Sequence, residues 1–515
     1  MIGSSKKEEA PLRGLPKKQL VIHSLATSIT SSLSKPERGL VDMVSVAPAI
    51  ETRETRETRA ARSGIKPRSA AACEPRSGEP WEKTNNVTPP PAGNASGLAR
   101  EDVRRLAYAR RLASRKLLIR WNGGDCKGFD PIRLPRCAKC GQSVESAIGI
   151  KSDGKRSKFT GAMMCGSIWS CPVCSGVIRS ARSAEVEKMV QRHVDMAVAR
   201  VRQNPNTPIE QAVPESCGLM LFGTLTLRHS ATMPLQMLLD AVMSGWRRMV
   251  NGSPWRRIVK RYGIVGYVRS IEITYGVNGW HPHVHFLMPL AHEMSKSNLR
   301  RLRKTLIVRW RKMVKRVAAD YGEYNVAPDN KHGIDLQLKR GIDEGKQAAD
   351  YVTKWQKDKG NAELALEIAH GDNKGGRAAG SVNPFQLLDP GILGLEDWRR
   401  EQLWREYYEA TLRRRCITWS RGLRELYDVG EEVEDEAIAN EEKPEELVEY
   451  VAPKGEYERL RKTDAGLLAD ILTAAEQGDW EFVDKHLHGV RLTIDQQDML
   501  ADGEAHLADF LPKRE

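Results

Sequence analysis

No run of about 18 apolar residues occurs anywhere in the 515-residue chain, so nothing in it reads as a membrane-spanning helix. The first residues include Lys6 and Lys7 but no compact apolar segment ending in a small-residue cleavage site. That absence argues against secretion. Aromatic residues are nearly missing from positions 1–98, which are rich in Ser, Pro, Arg and Ala and carry the triplet repeat ETRETRETR from Glu51 to Arg59. A stretch with so little to bury cannot offset the entropy of ordering, so residues 1–98 are expected to form a solvated, disordered tail. A phosphate-binding loop is also missing. Residues 149–155 read GIKSDGK, but Arg156 stands where a magnesium-binding Ser or Thr belongs, and no buried strand precedes them.

Positive charge, by contrast, is in excess. Lys and Arg number 81 against 67 Asp and Glu, a formal net charge of +14, which points to a polyanionic partner such as nucleic acid or an anionic membrane. From Arg300 to Ala319 nine basic residues occur without one acid, a pattern that suits phosphate contact as well as a solvated face. The nine cysteines are odd in number, and five fall between 137 and 174 with the spacing C-x2-C-x24-C-x5-C-x2-C. In a chain that is not secreted, such clustering favours metal over disulfides. Two C-x2-C pairs on tight turns are the usual holders of one tetrahedral zinc, so Cys137, Cys140, Cys171 and Cys174 are the expected ligands. Cys165 is able to replace one of the four.

The most informative stretch is 279–290, GWHPHVHFLMPL. His281, His283 and His285 alternate with Pro282, Val284 and Phe286, the period of a β-strand. The imidazoles then share one face and Val284 and Phe286 enter a core. Residues 267–275 (YVRSIEITY) read as a second strand, and Asn278-Gly279 is the dipeptide preferred in two-residue hairpins. With that loop, Thr274 lies opposite His283 and Glu272 opposite His285, with Cβ atoms roughly 5 Å apart. A slip of one residue would turn Glu272 to the other face. Two imidazoles and a carboxylate with open positions suit a catalytic divalent cation.

Around this hairpin the chain reads as helix at 100–120 and from 178 to about 202, and as a strand at 219–228 with Thr224 and Thr226 on one face. Helices follow at 235–250 and 297–319, then a strand at 334–338. A helix at 345–357 carries Tyr351 and Lys354 on one side. A glycine-rich loop at 371–380, the segment NPFQLLD, a helix at 395–415 and the segment TWSRGLR complete this part. Residues 431–450 hold ten acids and one Lys, an expected acidic linker, and 464–485 read as a small helical appendage.

A Thr-rich strand (FGTLTLRH), a His-hydrophobic-His strand (HPHVHFLM) and a later helix with Tyr and Lys (DYVTK) occur in that order. This combination resembles the HUH endonucleases, and most closely the plasmid rolling-circle replication initiators. MCGSIWSCPVC, NPFQLL and WSRGLR resemble the bacterial plasmid version, and the likeness covers roughly residues 100–428. The resemblance implies an α+β fold with a central antiparallel sheet backed by helices, preceded by a cysteine-rich zinc-binding region. It implies a disordered tail at 1–98, a basic helix and zinc module at 99–180, an endonuclease domain at 215–390, a helical part at 391–428, and a linker with appendage at 429–515.

Carried over residue by residue, His283 and His285 match the metal-binding pair and Glu272 falls where a third ligand can stand. Tyr351 matches the nucleophile and Lys354 its nearby lysine. His281 matches the first His of the motif, with its role open. The implied activity is metal-assisted nicking and joining of origin DNA with Mg²⁺ or Mn²⁺, through a 5′-phosphotyrosyl intermediate and a free 3′-OH primer. The implied partners are plasmid origin DNA, single-stranded or extruded at the nick, with host helicase and DNA polymerase, in the cytoplasm. One position departs from the pattern: Gln347 stands four residues before Tyr351 where some initiators have a Glu that activates water. Two other readings fit parts of the chain, a relaxase or transposase of the same superfamily and a non-catalytic zinc-dependent DNA-binding regulator.

Overall fold

The computed structural model describes residues 99–121, 136–153, 155–202, 218–322, 324–341, 343, 345–346, 381–441 and 446–512. The expected tail at 1–98 lies outside them, as do Gln347, Tyr351 and Lys354. In chain order the main strands are β1 (Ala147–Ser152), β2 (Ser157–Thr160), β3 (Met220–Leu225), β4 (Val268–Gly276), β5 (Gly279–Pro289), β6 (Ile334–Lys339), β7 (Ile417–Trp419), β8 (Leu447–Pro453) and β9 (Val490–Arg491). The main helices are α1 (Arg100–Trp121), α2 (Pro172–Arg202), α3 (Leu235–Met249), α4 (Gly252–Tyr262), α5 (Lys296–Ala318), α6 (Asp397–Thr411) and α7 (Ala465–Gln477). Among the described residues no helix is long and apolar enough to cross a membrane.

The fold is α+β, with helices on antiparallel sheets. One sheet has five strands in the order β6-β3-β5-β4-β7 and another has four in the order β9-β8-β1-β2. On β5 the alternation sorts the faces as expected. Val284 and Phe286 are fully buried, and the Trp246 ring of α3 lies 5.2 Å from that of Phe286. Helix α5 packs behind α3, with Trp310 and Val314 against Gly245, and Trp310 Nε1–H donates to the Thr226 carbonyl at 2.7 Å. Both helices therefore cover the face away from the histidines.

Gly223, on the interior strand β3, faces Phe286 so closely that an added Cβ would stand 2.2 Å from the ring. Gly223→Ala should therefore destabilise the chain by about 1–3 kcal/mol through overpacking, seen as a lower thermal unfolding midpoint. An unchanged midpoint would show that Phe286 has room to move.

The hairpin turn differs from the expected one. Gly276 pairs with Gly279 and Glu272 with His283, a shift of two residues. The cause is backbone conformation: Gly279 takes φ +80°, while Val277 and Asn278 are not among the positive-φ residues. The loop is thus Val277-Asn278 followed by a left-handed glycine, not the mirror-image turn that Asn278-Gly279 would form. A shift of two keeps every side chain on its face.

The C-terminal region is not a detached appendage. Strand β8 pairs with β1 from Leu447↔Ser152 to Pro453↔Ala147, so residues beyond 429 complete the sheet of the cysteine-rich half. The acids expected to form a linker pair with cations of the same chain: Asp435 with Arg182 at 2.8 Å, Glu436 with Arg136, and Glu446 with Lys158. Helix α2 runs unbroken past residue 180. The segments NPFQLLD and TWSRGLR act as braces. Asp389 accepts from Arg110 Nε of α1 at 2.8 Å, and Arg424 grips Glu185 of α2 with two bonds of 2.9 and 3.0 Å.

Candidate metal centres and a basic face

Strands β4 and β5 bring Glu272, His283 and His285 together, with one ligand atom of each within 4.8 Å of the others. His285 Nε2 lies 2.8 Å from Glu272 Oε2, and His283 Nε2 contacts the same oxygen. All three side chains are largely buried, at 6%, 12% and 16% exposure for His285, His283 and Glu272. The neighbouring strand β3 places Thr224 opposite His285, with Oγ1 3.0 Å from Nδ1. A hydroxyl that accepts from Nδ1–H holds the ring in the tautomer whose Nε2 lone pair faces the carboxylate. In that tautomer the Nε2 lone pair is free to take a cation; where Thr224 donates to Nδ1 instead, Nε2–H donates to Glu272 Oε2. The Phe222 ring, stacked on His285 at 6.1 Å, limits its rotation. The donor set therefore fits a divalent cation of the Mg²⁺, Mn²⁺ or Zn²⁺ kind.

A fourth imidazole, which the motif reading passed over, extends the row. His229 at the end of FGTLTLRH stacks on His281 at 4.5 Å, and His281 lies 5.1 Å from His283. Burial lowers the His229 pKa, against a backbone hydrogen bond to Leu227 that raises it. The signal available in the sequence was a strand closing on a histidine.

The second cluster is cysteine. Cys140, Cys165, Cys171 and Cys174 are buried with sulfurs mutually within 4.8 Å. Three of the separations are 3.6 Å, close to the edge of about 3.8 Å that a tetrahedron of 2.3 Å zinc–sulfur bonds requires. Cys165 thus stands in the place expected of Cys137, whose thiol donates to the Ser170 carbonyl at 3.3 Å. Cys171 immediately precedes α2 and Cys174 lies in its first turn. The Cys171 thiol is held well below its usual pKa: burial opposes this, but bonds from the surrounding thiols outweigh it.

On the face away from the histidines, Arg300, Arg301, Lys304, Lys312, Lys315 and Arg316 of α5 are exposed, as are Arg256, Arg257, Lys260 and Arg261 of α4. Among the described residues none of these has a carboxylate partner. Arg309 ties the two helices, donating to the carbonyls of Met249 at 2.6 Å and Asn251 at 2.7 Å. Like charges held together without acids cost repulsion unless a polyanion covers them.

The sequence model of the family described as "Replication protein" matches residues 156–452. Protein rep of Streptomyces lividans is 28% identical over 326 residues, 52% of this chain and 65% of the relative. A neomycin resistance protein of Streptomyces cyanogenus is 29% identical over 153 residues, 25% of this chain and 30% of the relative. The chain thus spans less than two thirds of either relative. No solved structure matches.

Proposed function

The chain belongs to the replication protein family, and from that premise we propose that it is a plasmid rolling-circle initiator that nicks and rejoins origin DNA. The observation that carries the reading is the Glu272–His283–His285 cluster on adjacent strands, inside the region that the family model matches. A DNA-binding regulator has no use for an open carboxylate–imidazole site.

Glu272, His283 and His285 would hold Mg²⁺ or Mn²⁺. When bound, such a cation polarises a phosphodiester and offsets the charge that develops on its oxygens. The nucleophile is Tyr351; a free tyrosine hydroxyl has a pKa near 10, so it needs such help. Its oxygen bonds to phosphorus as the bond from phosphorus to the 3′ oxygen breaks, and the proton that tyrosine loses is balanced by the one that the leaving 3′ oxygen gains. The products are a 5′-phosphotyrosyl strand and a free 3′-OH for a host polymerase. Lys354 adds positive charge at the same phosphate.

Tyr351 and Lys354 lie outside the described residues. Gly345, six positions before the tyrosine, packs against Met220 of β3 and Val190 of α2. Met220 shares the face of Thr224, so the chain enters this segment on the histidine side. The reading requires the six-residue span from Gly345, at most about 20 Å, to bring Tyr351 to the cluster. The basic face of α4 and α5 suits duplex phosphates, and the cysteine cluster would hold a structural Zn²⁺. Without a nucleotide-binding loop, strand separation falls to a host helicase. With Gln347 in place of a Glu, termination needs a base other than that side chain.

Supercoiled DNA carrying a candidate origin, incubated with the protein and Mn²⁺, should yield nicked circles and a covalent protein–DNA adduct. Tyr351→Phe keeps the ring and its packing but should leave neither product. A nucleotide mapped to Tyr267, Tyr275 or Tyr408, or a fully active Phe variant, would overturn the assignment.

A further inference from the structure

We propose that a cavity between α1, β2 and the start of α2 binds a nucleoside phosphate, either free or as one unit of a DNA strand. The cavity has a volume of about 470 Å³. It belongs to the four-stranded sheet and shares no residue with the Glu272 cluster, so it stands or falls independently of the nicking reading.

Four polar atoms that line it lack hydrogen-bond partners among the described residues: Arg111 Nη2, Arg104 Nη1, Ser157 Oγ and Glu446 Oε2, the last held in an ion pair with Lys158. Arg111 is 4% exposed and Ser157 7%, so water cannot freely serve them, and buried polar groups are otherwise almost always bonded. The neighbouring cations are already matched. Arg100 and Arg104 share Glu476 at 3.0 and 2.5 Å, and Lys158 pairs with Glu446. Arg111 lines the cavity with no carboxylate partner among the described residues, while Arg156 is exposed and lies in the field of Asp153. Cys140 and Cys171 contribute negative field at Arg111, which supplies counter-charge but no acceptor for Nη2. The buried Arg111 guanidinium, the exposed Arg156 guanidinium and a hydroxyl match the charge and the acceptor-only oxygens of a phosphate.

The remaining wall is apolar. The Arg111 guanidinium lies 4.3 Å over the Tyr108 ring, the Phe159 and Tyr457 rings are 5.0 Å apart, and Val173 and Leu472 complete this side. A bare phosphate leaves that wall unused, whereas a base can lie against it. Glu441 lines the rim and is exposed, where its charge is screened.

Isothermal titration of the full chain with deoxyadenosine 5′-monophosphate, inorganic phosphate and a short single-stranded oligonucleotide tests the site. The nucleotide should bind the wild type and Glu272→Gln alike, and more tightly than phosphate. Ser157→Ala should weaken it roughly fivefold, and Arg111→Lys roughly tenfold or more. Val177→Trp, at a position 45% exposed on the lining, should block it without touching a polar group. Circular dichroism checks folding, and Ser157→Ala and Val177→Trp keep the test decisive if Arg111→Lys does not fold. Displacement of the nucleotide by the oligonucleotide supports a unit of a strand as the natural occupant; independent binding of the two supports a free nucleotide. If neither probe binds in a way that Val177→Trp and Ser157→Ala weaken, the proposal is wrong.

Discussion

Glu272→Gln should abolish metal-dependent nicking while leaving duplex binding largely intact. The substitution keeps the shape of the side chain and removes one negative charge from a pocket where two imidazoles converge on a single carboxylate oxygen. An amide oxygen is a weak ligand for a hard divalent cation, and a cation at this position supplies several kcal/mol of charge stabilisation. Each 1.36 kcal/mol is tenfold in rate, so a fall of at least about a hundredfold is expected. Replacing His283 or His285 by Ala should act in the same direction. Duplex affinity should hold because the unpaired cations of α4 and α5 lie on the opposite face of the sheet, behind Phe286 and Trp246. Nicking assays with Mn²⁺ and fluorescence anisotropy on duplex origin DNA separate the two effects. Joint loss of cleavage and binding would mean that the hairpin only supports the fold.

The second large effect concerns the cysteines. Purified protein should contain about one zinc per chain, and Cys165→Ser or Cys171→Ser should lose it together with solubility. Four thiolates on zinc contribute on the order of 10–16 kcal/mol to small metal-bound domains, so losing one ligand from a fully buried cluster should cost several kcal/mol. Cys137→Ser should retain the metal, because its sulfur is directed to the Ser170 carbonyl. The notable contrast is between Cys165 and Cys137, since spacing alone pairs Cys137 with Cys140. Elemental analysis with thermal unfolding reads both quantities. Zinc-free wild type that folds normally would remove the site altogether, and zinc lost from Cys137→Ser but kept in Cys165→Ser would restore the paired-motif assignment.

Local pattern was enough to determine which side chains share a face. Period two on β5 put three imidazoles on one side and Val284 and Phe286 in the core, and parity kept Glu272 with the imidazoles although the turn moved by two residues. The helices were equally legible, because an apolar stripe such as Leu302, Leu306, Trp310, Met313 and Val317 is written within one segment, and all five are buried. Register was less so: it hung on whether Asn278 joined Gly279 in the left-handed conformation, which it does not.

Long-range pairing decided the rest. Nothing near Leu447 announces that it will lie beside Ser152, and without that strand residues beyond 429 read as a linker and appendage. Thr224 reaches His285 only because β3 and β5 are adjacent in the sheet. Cys165 reaches Cys174 after the two-residue strand Ala162–Met163 pairs with Gln142–Ser143, beside Cys140. Periodicity records which way a side chain faces, since that depends on backbone geometry over a few residues. Which distant side chain it meets depends on how sheets and helices pack, and that is set by the whole chain at once.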